Sequence, residues 1–201
     1  LNTNFAGGKK VILGSGSPRR KELLQALRIP FTLRVVPTDE TWPLELPLAS
    51  IPCYLAKQKA IAQLHLLAHD ELLITADTVV ILEDTILNKP KDLEEAFAML
   101  SNLSGKTHTV ITGVCLSHKE GFHIFEVATQ VTFNVLEPDE IDYYLTHYSP
   151  LDKAGAYGIQ EWIGCVAMHH VSGSYNNVVG LPTDTLYHKL KQFQTLKWHY
   201  Y

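Results

Sequence analysis

The sequence predicts an α/β fold, and three stretches carry that prediction. Val11, Ile12 and Leu13 form a short apolar run that stops at Gly14, after which Leu23, Leu24 and Leu27 recur at helical spacing. Leu72 to Leu82, LLITADTVVIL, is rich in Val, Ile and Leu in the manner of a central strand buried on both faces. Thr107–Ser117 and Phe122–Val135 are two long alternating segments separated by Glu120-Gly121, the pattern of an antiparallel pair. Strands interleaved with helical patterns place the chain in the α/β class.

The first element is therefore a strand, a tight turn and a helix. Ser17 stands where an N-cap belongs, Pro18 suits the first helical position, and Arg28-Ile29-Pro30 ends the helix. Arg19 and Arg20 are less easily explained, because two cations in a first turn face the positive end of the helix dipole. Two readings stand: arginines that point into water, or a phosphate site built from the first-turn N–H groups, the Ser15 and Ser17 hydroxyls and two guanidinium forks. The G-x-x-x-x-G-K loop is absent, and Arg19 occupies the third glycine position of a G-x-G-x-x-G pattern.

Phe31 to Val36 reads as a half-buried strand ending at Pro37. A loop with Asp39 and Glu40 at its root and prolines at 43, 47 and 52 follows; on their own, these acids read as solubility charges. Ser50 is expected to begin a helix running to about Ala68. Lys57 and Lys59 lie about 200° apart around its axis, with Lys59 nearer the packed side, as a snorkelling lysine or as a ligand. Asp77 interrupts the central strand, and a buried aspartate there needs a cation, a metal or hydrogen-bond donors. Glu83-Asp84 turns the chain into Thr85-Ile86-Leu87, and a hairpin would bring Lys89 back toward the Asp77 end of the strand.

Asp92 to Glu95 resembles a capping box, Ala96, Phe97, Leu100 and Leu103 form the apolar face of the next helix, and Gly105 closes it. Pro138 starts an amphipathic helix with Ile141, Tyr144 and Leu145. Asp152 to Gln160 has two glycines and no period, so it is a plain connection or a loop bringing backbone close to something. Ile163 to Val171 reads as a strand, Ser172 to Pro182 as a polar loop, and Pro182 to Phe193 as the last helix.

Composition narrows the function. Of 201 residues, 46% are apolar and 19% charged, an ordinary globular balance. A net charge of -4 and a pI near 6.2 argue against general nucleic-acid binding, so a polyanion must meet a local basic cluster. Cys53, Cys115 and Cys165 are read as small buried hydrophobes in a reducing compartment. No apolar run has the length of a membrane span, and LNTNFAGGKK lacks the apolar centre of a signal peptide, so a cytoplasmic protein is expected. The ten histidines include no H-E-x-x-H, and a G-x-S-x-G nucleophile elbow is absent.

In order, SGSPRRKELL, TDET, KQKA, ADTVV, ILNKP, LSGKTHTVITGV, KAGAYGIQ and GSYNNVVGLP resemble the motifs of the Maf family of nucleoside triphosphate pyrophosphatases, from about Val11 to Pro182. Small departures are Gly16 for the commoner alanine, Asn88 for glycine, and Glu161 for the glycine after Gly-Ile-Gln, the last expected to affect the base end of the pocket. The resemblance implies one Maf/ITPase-like domain over residues 1–201, with a long, mixed, twisted sheet, flanking helices and two lobes around a central cleft. It implies hydrolysis of a nucleoside triphosphate between the α and β phosphates, with Mg²⁺ or Mn²⁺, and the Gly-Ile-Gln string resembles the branch acting on dTTP and UTP. The same chemistry on a modified or purine triphosphate such as 7-methyl-GTP is the alternative enzyme, and a nucleotide-binding regulator of septum formation the alternative non-enzyme. A homodimer is implied by the resemblance, while the charge and the short apolar runs lead to the expectation of no nucleic-acid or membrane partner.

Carried onto this sequence, the resemblance assigns Ser15, Ser17, Arg19 and Arg20 to the phosphates and Lys59 and Lys89 to charge neutralisation. Glu40 and Asp77 are expected to hold the metal, with Asp77, on its buried strand, favoured to activate water. Gln160 is expected to hold the water or read the base, and Ser174 to line the pocket.

Overall fold

Each element is set by short-range chemistry before packing decides its length. In the computed structural model, which describes residues 5–201, strand β1 (Lys10–Leu13) gives way to helix α1 (Pro18–Ala26). Ser17 caps that helix by accepting from the Arg20 N–H, and Pro18 stands in its first turn. The first four residues of LNTNFAGGKK lie outside those described.

Strand β2 (Phe31–Leu33) is shorter than the expected 31–36. It pairs in parallel with β1 in the register Val11↔Phe31 to Leu13↔Leu33, and β1 ends at Leu13, so the chain beyond has almost nothing to pair with. Leu33 and Val35 are accordingly exposed rather than half-buried. Helix α2 (Ile51–Ile61) also stops early, tightening into a 3₁₀ turn at Leu64–Leu66 that delivers Leu67 to the core in an extended conformation. Ser50 lies in the 3₁₀ turn before α2 and makes no side-chain cap.

Strands β3 (Glu71–Leu82) and β4 (Thr85–Leu87) form the expected hairpin, antiparallel in the register Val80↔Leu87. Helix α3 (Leu93–Leu103) is capped by Asp92, which accepts from the Glu95 N–H at 2.8 Å. The Glu95 carboxylate returns to the Lys91 N–H at 2.8 Å, one residue outside a regular capping box. Gly105, at φ +69°, follows the helix end in the left-handed region that favours glycine.

Strands β5 (Thr107–His118) and β6 (Gly121–Phe133) are neighbours joined by two residues, a connection only an antiparallel pair allows. Helix α4 (Pro138–His147) follows. The expected strand 163–171 is instead helix α5 (Trp162–Val166) and strand β7 (Met168–Ser172). A five-residue helix is too short to display a helical period; Gly164 permits it, since a Cβ there would lie 1.8 Å from the Ile159 carbonyl oxygen. The expected loop 172–182 contains helix α6 (Tyr175–Val179), before α7 (Thr183–Lys191) and β8 (His199–Tyr200).

The sheet is mixed, as the family resemblance implies. Its order is β2-β1-β3-β5-β6-β7, with β4 on β3 and β8 on β6. β1 runs parallel to β2 and β3, whereas β7 and β8 are antiparallel to β6. Among the described residues no helix is long and apolar enough to cross a membrane.

Contacts divide the chain into two units. The first comprises Leu1–Asp77, Thr112–Val127 and Gly180–Tyr201. Alternation along its strands builds two cores. Val11, Leu13, Leu72, Ile74, Val114 and Leu116 pack with Leu24 of α1 and Leu186 of α7, while Ile12, Leu73 and Cys115 pack with Ala56 and Ala60 of α2. Both faces of β3 are thus covered, which explains its unbroken apolar run. The second unit, Thr78–Ile111 and Ala128–Val179, packs α3 and α4 through Ala96, Leu100, Ile141 and Tyr144 against Val80, Val110 and Phe133. Of the cysteines, only Cys115 is buried; Cys53 is half-buried and Cys165 exposed, against the expectation of three buried thiols.

Candidate active site

The turn after β1 is shaped by close approach. Gly14 donates its N–H to the Ile74 carbonyl at 2.8 Å, and a Cβ there would lie 2.8 Å from each of Gln63 Nε2, Leu73 Cδ1 and Thr75 Cγ2. A glycine is required by space alone. The chain then turns so that the Ser15 hydroxyl accepts from the Ser17 N–H at 3.3 Å.

Arg20 does more than face the helix start. Its Nε donates to the Gly180 carbonyl at 2.9 Å, and its Nη1 donates to the Ala76 carbonyl at 2.8 Å and to Ser15 Oγ at 3.4 Å. The guanidinium therefore ties the α1 turn to the peptide immediately before Asp77. Desolvation by burial pulls Arg20 below the ordinary guanidinium range, while the Asp77 charge acts in the opposite direction. A guanidinium begins so far above neutrality that it remains a cation.

Asp77 is 8% exposed and finds the cation its burial demands. Lys59 Nζ lies 2.5 Å from Asp77 Oδ1 and 2.8 Å from Glu40 Oε1. The Lys59 and Asp77 side chains are only 14% and 11% exposed, whereas Glu40 reaches in from the more open loop with 44% of its side chain exposed. Lys59 is on the inner side of α2, as its position in the helical pattern implies. Lys57 turns elsewhere and lies 4.1 Å from the centroid of the Phe122 ring. The first unit thus carries Ser15, Ser17, Arg19, Arg20, Glu40, Lys59 and Asp77 on the β1 turn, the α1 start, the 38–41 loop, α2 and β3; contacts link Ser15, Ser17 and Arg20 to one another and Glu40, Lys59 and Asp77 to one another.

Lys89, Gln160 and Ser174 belong to the second unit. Lys89 and Gln160 are exposed, and the segments carrying them are joined where the Gly155 N–H donates to the Asn88 carbonyl at 3.2 Å. Gly155 is the close approach that the 152–160 stretch suggested: at φ +70°, its Cβ would sit 3.1 Å from the Val80 side chain. Ser174 is occupied by local structure. Its hydroxyl accepts from the Asn177 N–H at 3.3 Å, and its backbone exchanges hydrogen bonds with Thr129 Oγ1. The buried Asn177 is held in turn by the Val110 carbonyl and Thr129 Oγ1.

Around the 153–160 loop, sequence reasoning flagged Glu161 but missed its partners, Lys153 and the Tyr144 hydroxyl. Lys153 is 7% exposed and pairs with Glu161 at 3.1 Å, and Glu161 also accepts from the Tyr144 hydroxyl. The Glu161 carboxylate thus turns to these two partners; Tyr144 looked like one more apolar residue of α4. A lysine and a glutamate eight residues apart in an aperiodic stretch offered no spacing signal. Among the described residues, no three His, Cys, Asp or Glu side chains converge as a metal cage.

Residues 10–193 match the family described as Maf-like protein. The chain belongs to the Maf-like family. Among its curated relatives, the dTTP/UTP pyrophosphatase of Porphyromonas gingivalis is 52% identical over 187 residues, covering 92% of this chain and 94% of that protein. The dTTP/UTP pyrophosphatase of Phocaeicola vulgatus is 50% identical over 184 residues, covering 91% and 95%. Among solved structures, the Staphylococcus aureus Ham1 protein superposes with a TM-score of 0.51 at 16% identity, covering 89% of this Maf-like chain and 98% of that one, a likeness of fold alone.

Proposed function

We propose that this Maf-like protein is a nucleoside triphosphate pyrophosphatase that hydrolyses dTTP and UTP between the α and β phosphates, releasing the nucleoside monophosphate and pyrophosphate. The observation that carries the reading is the Glu40–Lys59–Asp77 constellation, tied through Arg20 and the Ala76 carbonyl to an α1 turn suited to phosphate. The names and near-half identity of its relatives support the same substrates.

Attack on a triphosphate meets several negative charges, so catalysis rests on positioning, neutralisation and an activated water. In this reading Ser17, Arg19 and the first-turn N–H groups of α1 grip the phosphates. Arg20, engaged by Ala76 and Gly180, keeps that grip in register with Asp77 and adds its charge to it. Lys59 and Lys89 neutralise charge on the transferred phosphoryl and the leaving pyrophosphate. Asp77 orients the attacking water and accepts its proton at Oδ2, while Lys59 engages Oδ1.

The donor set fits a divalent cation. Glu40 and Asp77 are two carboxylates that already face one cation, Lys59 Nζ, and Mg²⁺ commonly takes one or two carboxylates with the rest of its shell from water and substrate phosphate. Glu40 and Asp77 would hold it, and when bound it would neutralise phosphate charge.

The test is pyrophosphate release from dTTP, UTP and a panel of other nucleoside triphosphates, with Mg²⁺ or Mn²⁺ added. Turnover of dTTP and UTP above the panel is expected, and Asp77→Asn should lower kcat by at least about 100-fold while the protein stays folded. An Asp77→Asn protein with near-normal release would remove Asp77 from its role.

A further inference from the structure

The loop that carries Gln160 is held by a buried polar cluster for which the reaction above has no use. Lys153 Nζ donates to the Ser149 carbonyl and to Asp152 Oδ1, both at 2.9 Å, and lies 3.1 Å from Glu161 Oε1. Glu161 Oε2 accepts from the Tyr144 hydroxyl, which itself accepts from the Gly158 N–H at 3.1 Å. The Glu161 N–H closes the turn onto the Gly158 carbonyl at 2.9 Å. Burial, reinforced by Glu161, drives the Tyr144 hydroxyl well above the ordinary phenol range, so it remains a donor.

Both ends of a four-residue turn, Gly158 to Glu161, are therefore fixed to side chains that are themselves fixed, and the exposed residue within it is Gln160. The amide of Gln160 rests on that turn: a Cβ at Gly158 would meet Gln160 Nε2 at 3.1 Å and the Glu161 carboxyl carbon at 2.8 Å. Farther back, the Tyr157 hydroxyl is bound to His108 Nε2 at 2.7 Å. Apolar burial of Tyr157, Ile159 and Ile163 already closes the loop, so a buried ion pair adds orientation more than stability.

A glutamine amide offers one acceptor and one donor side by side. In one orientation it complements the O4 acceptor edge of thymine or uracil; flipped, it complements the N4 donor edge of cytosine. Selection between them needs the amide to be held. We propose that Tyr144 and Glu161, charge-balanced by Lys153, are positioning residues that hold Gln160 against the pyrimidine edge and so set base selectivity. This rests on the reading of the chain as a dTTP and UTP pyrophosphatase.

The test is a double-mutant cycle on the intact protein, with kcat and KM measured for dTTP and dCTP. Tyr144→Phe is expected to raise KM for dTTP about tenfold, leave kcat within about twofold, and erode the preference for dTTP over dCTP about tenfold. Gln160→Ala should lose the same selectivity, and the double variant should be no worse than Gln160→Ala alone. Glu161→Gln, which keeps an oxygen for the tyrosine, should fall between wild type and Tyr144→Phe, and it supplies the cycle if Tyr144→Phe does not fold. Losses that multiply in the double variant, or a fall in kcat with selectivity unchanged, would overturn the proposal alone. A wild-type protein that releases no pyrophosphate from dTTP or UTP would overturn the underlying reading and this role with it.

Discussion

Replacing Lys59 by methionine removes the ammonium that bridges Glu40 at 2.8 Å and Asp77 at 2.5 Å. Methionine keeps most of the aliphatic stem, so packing on α2 changes little. What remains is Asp77, 8% exposed, without its ammonium partner. Breaking a buried pair on one side costs about 3 to 5 kcal/mol; with Asp77 Oδ1 able to recruit some water, about 3 kcal/mol is the better figure. For a chain of this length that lowers Tm by roughly 6 to 12 °C. Removing both partners is far milder, because the buried charge is gone and the Glu40 side chain, which also loses Lys59, is 44% exposed to water. Lys59→Met/Asp77→Asn should therefore recover most of the lost Tm while remaining inactive. The assay pairs thermal melts by circular dichroism with pyrophosphate release from dTTP. Turnover should fall by about 10² to 10³ in Lys59→Met, the scale for losing one group that meets developing charge. A Lys59→Met protein that melts within about 2 °C of wild type, or a double variant no more stable than the single one, would refute the reasoning.

Two further outcomes follow from the same geometry. Arg19→Ala should raise the Kd for a non-hydrolysable dTTP analogue by more than about tenfold, the scale of a lost charged hydrogen bond, as read by titration calorimetry; unchanged binding would return Arg19 to a solvated helix start. Burial holds the His108 ring down at about 4 against 6.5. Between those pH values the unfolded chain therefore binds a proton that the folded chain refuses. Stability should be full above about pH 6.5 and fall by about 3 kcal/mol as pH drops to about 4, and urea melts of His108→Phe should lose that part of the slope.

What was legible in the sequence was local. Ser17 and Asp92 cap their helices because a cap is decided within four residues. The β3–β4 hairpin follows from a short turn between apolar runs, and Asp77 stood out because a carboxylate in a doubly covered strand needs a partner. Errors came where the signal was too short or the partner too far away. Helices α5 and α6 span five residues each, and β2 ends where its neighbour stops pairing, which no property of residues 34–36 announces.

By itself, the sequence determined the α/β class, the strand–turn–helix at its start, the caps and the set of charged residues in family order. Those depend on propensities and spacings written in contiguous residues. Only the tertiary structure decided that Lys59 joins Glu40 to Asp77 across 19 and 18 positions, that Arg20 spends donors on carbonyls 56 and 160 residues away, and that Glu161 turns inward to Tyr144 and Lys153. A side chain's hydrogen bonds go to whichever groups the packed backbone brings within about 3 Å, and that choice exists only once the chain has folded.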